Sequence, residues 1–190
     1  MKLSISTVQP GAVALMALMT ATRFHHFGTA YALPDASLAI FFLAGLWLGG
    51  RYLFALLLLL AGLIDYLAIS QFGVSDFCVS AAYVFLVPAY AAMWFAGLWC
   101  RRFNGLSTSS LVQRVAALGL STSLAFLLSN GSFYWLSGRF AETSWSGYID
   151  HAADYFLSYL GQNLIWGVTL FALVTAGLWL LALRTGRQAA

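Results

Sequence analysis

The sequence predicts an all-α integral membrane protein, a six-transmembrane-helix bundle with both termini in the cytoplasm. Three observations carry this. Hydrophobic residues are 62% of the chain and charged residues 8%, against roughly 25% charged in a typical soluble domain. Apolar runs recur at the length needed to cross a bilayer. Arginines gather on alternate connections between those runs, as the positive-inside rule requires. With 190 residues and no internal repeat or low-complexity linker, the chain reads as one transmembrane domain, residues 1–190.

A spanning helix needs about 20 apolar residues, and this places spans at about 9–27, 34–50, 52–71, 77–100, 109–129 and 156–183. The first carries AVALMALMTA and ends near His25 and His26. A signal peptide is the competing reading of this segment, because Ala30-Tyr31-Ala32 has the form of a cleavage site. That site lies well past the apolar run, and cleavage would leave the other five helices oriented as before. The second span carries LAIFFLAGLWLGG and the third LFALLLLLAGLIDYLAI. The fourth runs through SAAYVFLVPAYAAMWFAGLWC, with Pro88 expected to kink it. The fifth is the most polar and includes Gln113 and Arg114, the latter expected to snorkel to the headgroups. The last carries LIWGVTLFALVTAGLWLLAL.

One set of helix ends holds Lys2, Arg51, Arg101, Arg102, Arg114, Arg184 and Arg187. The opposite set holds only Arg23 and Arg139. An even number of spans with cytoplasmic termini satisfies this count. The net charge of +3 then reads as topology, and no nucleic-acid partner is expected. Lys2 is the only lysine, which excludes a G-x-x-x-x-G-K-[ST] phosphate loop. Glu142 is the only glutamate, and neither an H-E-x-x-H nor a G-x-S-x-G motif occurs.

The remaining polar chemistry falls on the outer side. Asp35, Asp76, Glu142, Asp150 and Asp154 lie in outward connections, with Asp65 near the outer end of the third span. A carboxylate beside LLLLLAGLI is expensive unless it faces protein, water or a partner, or reaches the interface. Tyr83 lies near the start of the fourth span, where its hydroxyl needs a partner. Cys78 and Cys100 bracket the fourth span about 33 Å apart, too far for a disulfide. Cys100 reads as a packing residue. Cys78, in QFGVSDFCVSAAY, is an unpaired thiol at an outer rim, a liability unless buried or used. His25 and His26 diverge by about 100° on a helix, so at most one enters a site. For either, an interfacial histidine is the commoner role.

The connection from Asn130 to Tyr155 is the only long one. It holds Phe133, Tyr134, Trp135, Phe140, Trp145, Tyr148 and Tyr155. These rings read either as an interfacial belt or as a lid over a large flat ligand. Ala17-x-x-x-Ala21 and Gly45-x-x-x-Gly49 allow close helix approach, and internal packing is the expected use.

HHFG at His25–Gly28, LIDY at Leu63–Tyr66 and the DFC…Y stretch from Asp76 through Cys78 to Tyr83 resemble the BtuM family. These are small cobalamin-specific S-components of energy-coupling-factor (ECF) vitamin transporters, and the resemblance extends to the layout of all six spans. It implies a multi-pass protein of the bacterial cytoplasmic membrane with a corrinoid site facing the periplasm. It implies that Cys78 ligates cobalt axially, with His26, Asp65 and Tyr83 around the substrate. Cobalamin uptake is the expected function, with decyanation of cyanocobalamin as accompanying chemistry. For that chemistry Cys78 is the catalytic group, Asp65 and Tyr83 position groups near the metal, and Asp65 is a candidate proton acceptor. An ECF coupling subunit with ATPases is an expected partner, although the family also allows a solitary protein. Two alternatives stay open: a membrane haem or redox protein with Cys78 or a histidine as axial ligand, and an S-component for another vitamin.

Overall fold

A computed structural model describes residues 9–23, 33–103 and 105–188, with side chains described as far as Leu181. The described residues form helices α1 (Pro10–Arg23), α2 (Ser37–Trp47) and α3 (Arg51–Phe72), then a 3-10 helix (Ala81–Phe85) continuous with α4 (Leu86–Cys100). Helices α5 (Thr108–Leu136) and α6 (Trp145–Gln188) follow. No strand occurs among the described residues.

Among the described residues, four segments have the length and apolar character to cross a membrane: Arg51–Phe72, Ala81–Cys100, Thr108–Leu136 and Trp145–Leu181. Their outer surfaces support a membrane setting. Leu59 is 71% exposed, Leu157 75% and Ile165 69%. Surfaces this apolar are costly against water and neutral against lipid tails. The expected second span is shorter than its apolar run suggests. Helix α2 has 11 residues, about 16 Å of rise, half a bilayer core. It stops where Gly49 and Gly50 take φ values of 65° and 92°, left-handed geometry that glycine adopts without strain. Residues Ala39 to Leu46 are all buried, as suits a helix that is apolar on every side.

Close approach of backbones holds α2 at the centre. A Cβ on Gly45 would strike the carbonyl oxygen of Trp94, and one on Gly97 the carbonyl oxygen of Phe42. Gly45 therefore serves internal packing, as its spacing suggests. The other small-residue pair does not: Ala17 and Ala21 are both exposed on α1.

Pro88 is the third residue of α4. It lies just after the change from 3-10 to α geometry, where its missing N–H removes little hydrogen bonding. The connection expected from Asn130 to Tyr155 is also smaller than the sequence suggests. Helix α5 continues to Leu136 and α6 begins at Trp145, so the 130–155 stretch is mostly helix and only 137–144 joins the two.

Candidate functional site: a buried arginine hub beside an exposed thiol

The end of α1, the start of α2, the last turns of α3 and the start of α4 meet around one guanidinium. Arg23, the last residue of α1, is 2% exposed. Its Nε donates to Asp65 Oδ1 at 2.9 Å and its Nη2 to Asp65 Oδ2 at 2.7 Å. Its Nη1 donates to Asp35 Oδ2 at 3.0 Å, Ser37 Oγ at 3.0 Å and the Tyr90 hydroxyl at 2.6 Å. The fork geometry of arginine suits such two-point pairing, which a lysine could not reproduce.

Each partner is fixed by its own segment. Asp35 accepts the backbone N–H of Ser37 at 2.9 Å, which holds it over the start of α2. Tyr90 stacks on Phe41 with ring centroids 4.3 Å apart. Asp65 is 4% exposed, so it does not reach outward to the interface; its charge is met inside the protein, as a buried carboxylate requires. The Tyr83 hydroxyl donates to Asp65 Oδ2. Asp65 and Tyr83, expected separately as positioning groups, are thus bonded to each other.

Cys78 stands beside this hub. Helix α3 ends at Gly73 with φ 68°, its N–H returning to the Ala68 carbonyl, a left-handed glycine cap. The turn that follows carries Cys78, and Ser80 Oγ accepts the N–H of Ala82 to start the 3-10 helix. Cys78 is an exposed free cysteine and Cys100 a buried one. Partial burial pushes the Cys78 thiol above its usual pKa; the Asp65 carboxylate adds to the rise and Arg139 opposes it. Arg139 lies over the Phe77 ring at 4.9 Å, which brings the 137–144 connection onto the cysteine turn.

A cavity of about 570 Å³ opens between α3 and the 3-10/α4 segment. Arg23, Tyr83 and Tyr90 supply its polar lining, and Val79 and Ser80 bring its rim next to Cys78. His26 and His25 lie outside the described residues. Among the described residues no three of His, Cys, Asp and Glu converge as a metal cage.

The aromatic residues around the α5–α6 hairpin chiefly pack on one another. Tyr134 is buried, 4.5 Å from Phe140 and 5.5 Å from Tyr148 between ring centroids. Its hydroxyl accepts the N–H of Ser144 at 3.2 Å. Trp135 and Trp145 pair at 5.1 Å, and His151 packs on Phe140 at 5.1 Å. These contacts bind the α5–α6 hairpin together, which limits the expected lid to the rings still turned outward, such as Trp145.

From the sequence Arg23 reads only as an outer-side charge, and its role as the hub rests on contacts with distant segments. The signal was present: Asp35 and Asp65 flank apolar runs, and Arg23 is one of two basic residues on their side. No protein-family model matches the chain, and no curated protein sequence matches it.

Proposed function

We propose that this protein binds a corrinoid at the end of the bundle that carries Cys78 and takes it up across the bacterial cytoplasmic membrane. One observation chiefly supports this reading. An exposed thiol lies one residue before Val79 at the edge of a cavity lined by Arg23, Tyr83 and Tyr90, which Asp65 ties together through Arg23 and Tyr83. The resemblance of the Cys78, Asp65 and Tyr83 motifs to the BtuM family supplies the choice of substrate. In this reading α1 and α2, with the residues around them, complete six crossings, both termini are cytoplasmic and the Cys78 end faces the periplasm. The arginine distribution supports that orientation.

The chemistry is ligand exchange on cobalamin, the substrate. The Cys78 thiol loses its proton, and the thiolate donates an electron pair to cobalt in place of the lower nucleotide base, which leaves with its own lone pair; a soft sulfur donor is suited to the metal. Donation from sulfur weakens the bond on the opposite face. In cyanocobalamin, cyanide leaves with its electron pair and takes up a proton, so no oxidant or reductant is needed. Tyr83 and Asp65 hold the 3-10 helix against α3 and so fix the cysteine turn at the cavity rim. His26 belongs to the proposed substrate shell through the resemblance alone.

The test is growth rescue. Expression in a bacterium that requires cobalamin and lacks its own inner-membrane importer should restore growth on nanomolar cobalamin. Rescue of a strain starved of a different vitamin, with none for cobalamin, would overturn the substrate assignment. Rescue without any coexpressed ECF module would identify a solitary transporter.

A further inference from the structure

A second opening lies at the opposite end of the bundle. It is a groove of about 510 Å³ between α2, α5 and α6. Leu46 of α2, Leu111 and Leu118 of α5, and Phe171 and Trp179 of α6 form its walls. Its polar lining residues are Arg114 and Thr175. The Thr175 hydroxyl donates to the Phe171 carbonyl of its own helix at 2.8 Å, so it is already satisfied. Val115 and Trp179 on the walls are exposed, which opens the groove toward the lipid-facing surface.

The dimensions suit one leaflet. Leu118 rests where a Cβ on Gly167 would stand, so α5 and α6 touch there. From Gly167 to Trp179, α6 rises about 18 Å. One leaflet contributes about 15 Å of hydrocarbon, half of the bilayer core.

The charges at this end are unbalanced. Arg114 Nη1 donates to the Gly105 carbonyl at 3.0 Å and Nη2 to the Phe103 carbonyl. Its Nε is buried with no partner among the described residues. Arg101 donates to the Gly45 carbonyl at 2.8 Å and Arg102 to the Trp99 carbonyl at 3.2 Å. Both ion pairs among the described residues belong to Arg23, at the other end. The Phe171 ring faces Arg114 at 5.3 Å and the Trp99 ring Arg102 at 4.7 Å, but carbonyls and rings leave these charges without a neutralising anion among the described residues, and a buried N–H without a partner is costly.

We propose that this groove holds an acyl chain of an anionic phospholipid, with the phosphate at Arg114. The groove takes the apolar tail, and the phosphate oxygens accept from Nε and balance the charge. A zwitterionic lipid brings its own cation and balances less of it. Basic sites between transmembrane helices on the cytoplasmic side favour anionic headgroups for this reason.

The experiment is native mass spectrometry of the full-length protein released from micelles that contain equal amounts of phosphatidylglycerol and phosphatidylcholine. The wild type should retain phosphatidylglycerol about fivefold over phosphatidylcholine, the effect of about one well-placed cation. Arg114→Gln should bring that ratio close to one, and Ala176→Trp, which fills the groove, should lower retention of both lipids. Equal retention of the two lipids by the wild type would overturn the proposal whether or not either variant folds. So would an unchanged preference in folded Arg114→Gln, full retention in folded Ala176→Trp, or a wild-type dimer that Ala176→Trp dissociates, which would place a second copy in the groove.

Discussion

Arg23 and Asp65, distant in sequence, close on each other through two parallel hydrogen bonds of 2.9 and 2.7 Å inside the bundle. The pair joins the end of α1 to α3, and its remaining donors reach α2 and α4. A helix end that would otherwise only graze the interface is thereby tied to three others.

Breaking the pair strands a buried charge. Arg23→Ala and Asp65→Ala should each lower stability by about 3–5 kcal/mol. The double variant should cost clearly less than the sum, because neither charge is then left without its partner. Unfolding in mixed detergent micelles with increasing dodecyl sulfate measures all three. Strictly additive losses would show that the two residues are not coupled.

Tyr83→Phe removes one donor from the same carboxylate and leaves Arg23 in place. The expected loss is about 1.5 kcal/mol, the lower end for a hydrogen bond to a charged group, since Tyr83 is only partly buried. The same micelle titration reads it. A loss as large as that of Asp65→Ala would mean that the tyrosine, not the arginine, carries the network.

The α2–α4 contact predicts a sharp contrast between glycines. Gly97→Ala places a methyl against the Phe42 carbonyl and should cost about 1–3 kcal/mol. Gly161→Ala on α6 meets open space and should stabilise by about 0.4–1 kcal/mol through the helical backbone. Thermal unfolding in detergent separates them. Equal effects would contradict backbone-to-backbone packing of α2 on α4.

The cysteine turn predicts a pH dependence. The Cys78 thiol titrates above its usual value, through burial and Asp65, with Arg139 opposing. Only the thiolate reacts with an alkylating reagent. The labelling rate should therefore reach its half-maximum at a pH above that of a simple thiol. Arg139→Gln removes the opposing cation, so the midpoint should move further up. An unchanged midpoint would mean that Arg139 does not face the thiol. Cys100 is buried and should label slowly in both proteins.

The helical, membrane-type character was legible in composition and run length, because lipid demands both. Helix limits were less legible. Apolar content alone does not show that Gly49 and Gly50 end α2 early, nor that rings such as Phe133 and Tyr134 extend α5 past the apolar run. Asp65 and Tyr83 stood out as polar groups in apolar surroundings. Their bond to each other, and Arg23 as their centre, depend on contacts between distant segments that no local pattern encodes. The exposure of Ala17 and Ala21 was equally invisible, since small-residue spacing is the same whether it faces a neighbour or the outside.

The central claim is that Cys78 binds cobalt, and an absorbance spectrum tests it most directly. Purified protein with cyanocobalamin should show corrinoid bands shifted from those of the free vitamin, and Cys78→Ala should retain the free-vitamin spectrum or bind none. The same shifted spectrum in Cys78→Ala, or a Soret band in wild type that received no corrinoid, would contradict it.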